Sequence, residues 1–263
     1  MSATVHNEEE VRNTMKKYWS QHSEKGSIEE MMLDDQATEI ESQVSLCSSS
    51  SPVGTHEPPT LSHIVPESAQ DREEVLSLQP ALKGKRVLEL AAGIGRFTGH
   101  LSQRVGPEGS VTAVEFMQSF SDKNEAAHKQ LGNTHFICAD VTKLEQPEGS
   151  YDVIFINWLL MYLGDEEVKA FARNALSWLA PGGHIFFRES CLQQSGSKKR
   201  DFNPTNYRDP SQYDAIFDEA CTGPYPVGSC FQIVRKQASQ TYLARKGNPN
   251  QLTWLWQKTE LTN

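Results

Sequence analysis

At 263 residues and 29.5 kDa the chain is long enough for one α/β domain with additions and a large buried core, while two full domains would be cramped. Its 34 acidic and 25 basic residues leave a net charge of −9, which argues against a long nucleic-acid duplex as partner, because that affinity rests on neutralising phosphates. The five cysteines, at 47, 138, 191, 221 and 230, lie far apart without metal-type pairing, and no hydrophobic N-terminal segment resembles a signal peptide or a membrane span; a reducing, cytoplasmic location and no metal are therefore expected.

Residues 1–42 read as an N-terminal helical arm. Val11, Met15, Tyr18 and Trp19 recur at helical intervals, so an amphipathic helix over 7–23 carries Tyr18, Trp19 and His22 on or near its inner face, and Met31-Met-Leu33 adds a second apolar patch. Two roles are open for this arm: Tyr18 and Trp19 anchor it to the core, or it closes over a ligand as a lid. From 43 to 70 the composition turns to Ser, Pro, Thr and His, with Ser48 to Ser51 in a row, and predicts a flexible insertion. The core domain is expected over 71–263, beginning with a helix through Val75, Leu76 and Leu78.

The chain is organised around Arg86-Val-Leu-Glu-Leu-Ala-Ala-Gly-Ile-Gly-Arg-Phe-Thr-Gly99, which reads as strand, tight turn and helix. Small residues at 91 to 95 and a helix N-terminus suit a nucleotide-like ligand. A dinucleotide turn wants a third glycine where Thr98 stands, and no Gly-Lys-Ser/Thr follows Gly95. Glu89, on the strand just ahead of the turn, would repel phosphates and attract an ammonium. This Glu-x-x-x-Gly-x-Gly arrangement resembles the first motif of class I S-adenosylmethionine (SAM) methyltransferases, in which the acidic residue faces the methionyl amino group; the family's usual first glycine is Ala91 here.

Strands and helices then alternate. A second strand, Val111 to Glu115, ends on a carboxylate about twenty residues past the turn, where it can accept both ribose hydroxyls. A third ends at Asp140, where an adenine amino group would lie. The fourth, Tyr151 to Asn157, is apolar enough to be buried on both faces and ends at the topological switch point. After a helix over 168–179 and a fifth strand at 184–189, the chain is expected to close with a hairpin of strands at about 239–245 and 251–258.

The excursion between them, about 190–230, is too long for a plain connection. Its Phe187-Arg-Glu-Ser-Cys191, Lys198-Lys-Arg200, Asn203-Pro-Thr-Asn-Tyr-Arg208 and Tyr213, with Tyr18-Trp-Ser-Gln-His-Ser23, Met31-Met-Leu-Asp34, Asn157-Trp-Leu-Leu-Met-Tyr-Leu163 and Trp254-Leu-Trp-Gln-Lys258, resemble the phosphoethanolamine N-methyltransferases. The similarity is greatest to the amino-terminal catalytic domain of the two-domain kind. It implies a Rossmann-like, seven-stranded, mostly parallel sheet with helices on both faces, an N-terminal helical lid and an insertion after strand five. It also implies methyl transfer from SAM to phosphoethanolamine, the first of three steps toward phosphocholine, with a second methyltransferase domain or a partner enzyme for the others.

The resemblance places Ser27, Ile28, Glu89, Ala91, Gly93, Gly95, Arg96, Glu115, Phe116, Asp140, Val141 and Asn157 at the cofactor. Tyr18, Asn157, Arg188, Arg200, Tyr207, Arg208 and Tyr213 fall at the substrate, guanidinium and phenol donors suiting its phosphate. Tyr18, His22 and Tyr162 are the candidates for catalysis; related single-domain enzymes pair a Tyr with a His in the loop after strand four, where this chain has Met161 and Tyr162. A methyltransferase for another small amine or alcohol, or a SAM-binding protein without turnover, are the competing readings.

Overall fold

The computed structural model describes residues 8–22, 67–195, 204–222 and 228–261. In chain order the elements are α1 (Glu8–His22), α2 (Glu67–Ser77), β1 (Arg86–Leu90), α3 (Thr98–Val105), β2 (Ser110–Glu115), α4 (Gln118–His128), β3 (Thr134–Cys138), β4 (Tyr151–Asn157), α5 (Asp165–Trp178), β5 (Leu179–Ser190), α6 (Pro210–Asp218), β6 (Cys221–Thr222), β7 (Ser229–Ala238), α7 (Gln240–Lys246) and β8 (Gln251–Glu260). Seven long strands build the sheet, in the order β3-β2-β1-β4-β5-β8-β7, and the two-residue β6 extends its edge. The first five are parallel; β8 runs antiparallel to β5 and to β7. Reversal of strand order at β1 and β4 opens the crevice at their carboxyl ends.

Apolar side chains on alternate residues supply two cores. Leu88, Ile154, Ile156 and Phe187 point to the face covered by α5 and α6, and Val87, Val153, Phe155 and Phe186 to the face covered by α2 and α3. The double-sided burial expected for β4 follows from this. The excursion after β5 contains α6, whose start is fixed by Asp209 accepting from the Ser211 N–H (2.9 Å), by Gln212 accepting from the Asp209 N–H (2.9 Å), and by Pro210.

Three expectations are corrected. The strand expected at 239–245 is the helix α7, and β8's hairpin partner is β7, at 229–238. The side chain of Ser239 accepts from the Tyr242 N–H, Gly247 closes the helix in the left-handed region, and Glu74 on α2 accepts from the Gln240 and Thr241 N–H groups at 2.6 and 2.8 Å. These caps outweigh the β-forming Thr241 and Tyr242. Residues 67–70, assigned to the flexible insertion, are the first turn of α2; the remainder of that insertion lies outside the described residues. Finally, Cys221 and Cys230, without a pairing pattern in the sequence, are cross-strand neighbours on β6 and β7 and form a disulfide, so cysteine spacing no longer argues for a reducing compartment. Among the described residues no helix is long and apolar enough to cross a membrane, and no His, Cys, Asp and Glu side chains group as a metal site.

Candidate active site

One cavity runs along the carboxyl ends of β3, β2, β1, β4 and β5. At its β1 end the chain turns sharply: Ala91 and Gly93 have φ of 55° and 58° and Gly95 a φ of 94°. The left-handed region costs a residue with a Cβ about 1–2 kcal/mol, which Ala91 bears. Ala91 and Gly93 line the cavity. Gly95, expected at the cofactor, instead faces α4: a Cβ there would lie 2.3 Å from Asn124 Oδ1 and 2.6 Å from His128 Cε1. Its role is close packing of the turn on that helix.

Glu89 lies on β1 just ahead of the turn, Glu115 ends β2 and Asp140 follows β3, the order the sequence predicts. Glu89 accepts from the Thr98 hydroxyl at 2.6 Å, and burial, with a smaller contribution from Glu115, pushes its carboxyl up to about 8. Glu115 accepts from the Gly93 N–H through Oε2 and from the Met117 N–H through Oε1, both at 2.9 Å; burial raises it too, opposed by those backbone donors. Asp140 turns one oxygen inward to the Thr142 N–H and hydroxyl, at 2.9 and 2.8 Å. All three line the cavity, as do Arg96, Phe116, Val141 and Asn157.

Beneath this wall Asp71 bridges two arginines. Arg188 reaches it with both Nη atoms, Nη2 to Oδ2 at 3.1 Å, and Arg96 Nη2 lies 2.7 Å from Oδ2. Burial pushes Asp71 up, but Arg188 and Arg96 together overcome it and hold the carboxyl at about 2. Arg188 Nε donates to Asn157 Oδ1 at 2.7 Å, and its guanidinium lies 4.3 Å from the Trp158 ring centroid. Arg188, expected at the substrate phosphate, is thus fully buried in the frame and orients Asn157.

The same correction holds for two more residues. Arg208 donates to the carbonyls of Leu160 (2.8 Å) and Leu163 (2.6 Å) and to Asp165 Oδ1 (2.9 Å). Tyr213 is buried against Phe187 and Trp254, with ring centroids 5.8 and 5.4 Å away. Neither reaches the cavity wall, whereas Tyr207 does. Sequence alone cannot tell a guanidinium that meets a ligand from one that meets backbone carbonyls. Arg200, Ser27 and Ile28 lie outside the described residues.

The arm α1 roofs the cavity with Arg12, Met15 and Trp19. Arg12 pairs with Glu167 on α5 at 2.8 Å, and Trp19 meets Tyr162 edge to face at 5.4 Å and Phe120 at 6.4 Å. Tyr18 is 3% exposed and packs edge to face on Trp19 at 5.5 Å. Of the three candidates for catalysis, Tyr162 lines the cavity, Tyr18 does not, and the side chain of His22 is outside the described region. The sequence reading missed Arg12, Ser190, Ser195, Tyr242 and Lys246, which also line it. Ser190 Oγ and Ser195 Oγ are 3.3 Å apart, and Lys246 Nζ sits 5.3 Å from the Tyr242 ring centroid.

The fold is that of a class I SAM-dependent methyltransferase domain. A family model described as "Methyltransferase domain" matches residues 87–183. Within that class the chain is a homologue of the phosphoethanolamine N-methyltransferases. It is 40% identical to phosphoethanolamine N-methyltransferase 1 of Arabidopsis thaliana over 97% of this chain and 46% of that protein, and 30% identical to phosphoethanolamine N-methyltransferase 1 of Caenorhabditis elegans over 94% and 48%. The structure of Haemonchus contortus phosphoethanolamine N-methyltransferase 1 in complex with phosphoethanolamine and S-adenosylhomocysteine superposes with a TM-score of 0.82 at 30% identity, covering 99% of this chain and 52% of that one. The chain therefore spans about half the length of the relatives it matches.

Proposed function

We propose that this chain transfers a methyl group from SAM to the amine of phosphoethanolamine, the first methylation toward phosphocholine, and that the later methylations fall to a second methyltransferase domain or a partner enzyme. The observation that carries this reading is the division of charge along one cavity. The carboxylates Glu89, Glu115 and Asp140 come from β1, β2 and the turn after β3, while Ser190 ends β5 and Ser195, Tyr207 and Lys246 line the same cavity. Asn157, on β4, lies between them. A cationic cofactor and an anionic substrate fit the two halves.

The residues suit the cofactor on their own chemistry. A fully buried carboxylate pushed up to about 8 lacks a cation, and Glu89 is placed to take the ammonium of a methionyl group. Glu115 accepts the ribose hydroxyls and Asp140 the adenine amino group. Bound SAM supplies a methyl group activated on a sulfonium. Lys246, Tyr207, Ser190 and Ser195 hold the substrate phosphate and orient the amine at its other end. An amine with a pKa like that of lysine, about 10.4, is neutral in roughly one molecule per thousand at pH 7.4, a cost of about 4 kcal/mol. Tyr162, which like Asn157 lines the cavity, is the residue we assign to carry the proton away, with Trp19 packed edge to face on its ring and excluding water.

Turnover tests the reading directly: S-adenosylhomocysteine should form only when phosphoethanolamine is added, with monomethylated product by mass spectrometry. Product from a different amine or alcohol would replace the substrate, and absence of turnover with intact SAM affinity would make this a binding domain.

Binding of SAM should also release a proton. In the free protein Glu89 holds its proton up to about pH 8. An ammonium beside it lowers that pKa, so the complex binds fewer protons and affinity rises with pH, by up to about tenfold per unit, until about pH 8. Calorimetry in two buffers of different ionisation heat at pH 7 should report roughly one proton released; a buffer-independent heat would show that Glu89 does not meet the cation.

The segment over 43–66 is proposed to be dispensable for the cofactor, since its composition buries little. A chain lacking it should bind SAM within about threefold of the parent, a difference under 1 kcal/mol. A loss above about tenfold would make it part of the lid.

A further inference from the structure

We propose that Glu189 and Arg208 are positioning residues which clip the loop after β4 from both sides and so set Tyr162 against the substrate. The proposal rests on the reading that this cavity end takes phosphoethanolamine.

The loop, residues 158–164, leaves the sheet with Trp158 at φ 59°, its N–H still on the Arg188 carbonyl of β5 at 2.9 Å, and from 159 onward lies outside the strands. Its buried backbone groups need partners all the same, since each one left unmet keeps its full desolvation penalty. Glu189, at the end of β5 and wholly buried, takes the N–H side: Leu159 and Leu160 donate to Oε1 at 3.0 and 2.7 Å, and Met161 to Oε2 at 3.2 Å. Arg208 takes the carbonyl side, at Leu160 and Leu163, and ties the start of α5 through Asp165. Asn206 adds its backbone N–H to the Met161 carbonyl at 2.7 Å and its Nδ2 to the Leu163 carbonyl at 3.1 Å.

Neither Glu189 nor Arg208 lines the cavity, but Trp158, Leu159, Met161, Tyr162 and Leu163 all do. Any effect of the two charges on the substrate therefore passes through the loop. Tyr162 in turn seats the arm, through Trp19 and through Arg12, whose Nη2 donates to the Tyr162 carbonyl at 3.4 Å. A carboxylate and a guanidinium are each suited to one side of the loop: the carboxylate accepts several N–H groups, and the planar fork donates to two carbonyls at once. The segment 204–208 is on this view an external brace.

Glu189→Gln leaves one acceptor oxygen for three donors, and Arg208→Met removes the fork. Each should lower kcat/KM for phosphoethanolamine by at least about tenfold while the Kd for S-adenosylhomocysteine stays within about threefold. The double variant should lose little more than the worse single one, because both release the same loop. Amide hydrogen exchange should accelerate in 158–163 while β4 stays protected, a readout that needs no turnover. Unchanged exchange overturns the proposal whether or not phosphoethanolamine is the substrate. So do an unchanged kcat/KM in a folded variant, cofactor affinity falling in step with kcat/KM, or losses that multiply in the double variant. If neither buried variant folds, the exposed Asn206→Ala decides: about a threefold loss in kcat/KM with faster exchange is expected, and parental values in both refute the clip.

Discussion

Glu115→Ala is expected to weaken SAM by about 2 kcal/mol, close to thirtyfold in Kd, the largest effect of any single change on the cofactor half of the cavity. The carboxylate does two things at once. Its oxygens accept from the Gly93 and Met117 N–H groups, which fixes the glycine turn against the end of β2. Its remaining lone pairs face the cavity and are those we assign to the ribose. Alanine removes both, so the turn loses an anchor and the ligand a charge-assisted acceptor. Gly93 lines the cavity, so water can reach its orphaned N–H, whereas Met117 is buried, so a fall in Tm should accompany the loss of affinity. Glu115→Gln keeps one acceptor and should fall between the two. Calorimetry with S-adenosylhomocysteine separates the roles. If affinity is unchanged while Tm drops, Glu115 serves the turn alone and the ribose is held elsewhere.

The carboxylate end of the cavity was legible because local signals located it. An apolar run of strand length fixes where each strand stops, so Glu89, Glu115 and Asp140 could be set at consecutive strand ends from spacing alone. The other half depends on contacts that sequence does not rank. Ser190 follows Glu189 on the same strand end, yet one lines the cavity and the other clips a loop. Lys246 was hidden by a wrong element: 239–245 carries strand-forming residues, and part of the cap that makes it helical comes from Glu74, more than 160 positions away. Arg12 escaped notice for a related reason, its partner Glu167 being on α5. Arg188 and Arg208 were misplaced because a guanidinium beside aromatic residues suggests a ligand, while here Asp71, Asn157 and loop carbonyls engage it.

Free ethanolamine, with the same nucleophile, should react at least about a thousandfold more slowly in kcat/KM than its phosphate ester, a difference of about 4 kcal/mol in transition-state stabilisation. The protein as a whole repels anions, with a net charge of −9, so an anionic substrate needs a local exception. The exception we propose is Lys246 with Tyr207, Ser190 and Ser195, since Arg12 and Arg96 on the same wall pair with Glu167 and Asp71. Arg188 and Arg208 do not enlarge it, since their donors already meet protein groups. Binding energy from the phosphate holds the far end of a short molecule and so limits where the amine can point. Lys246→Ala should therefore lower kcat/KM for phosphoethanolamine by about thirtyfold, roughly 2 kcal/mol for one charge-assisted contact at a partly exposed site, and leave the residual rate with ethanolamine unchanged. SAM affinity should not move, because Lys246 is on α7 while the carboxylates assigned to the cofactor are on β1 and β2. Steady-state kinetics on both amines tests the pair of expectations together. Equal rates with ethanolamine and its phosphate would remove the phosphate from recognition. A loss in Lys246→Ala that is the same for both amines would make this lysine a support of the wall, not a ligand of the substrate.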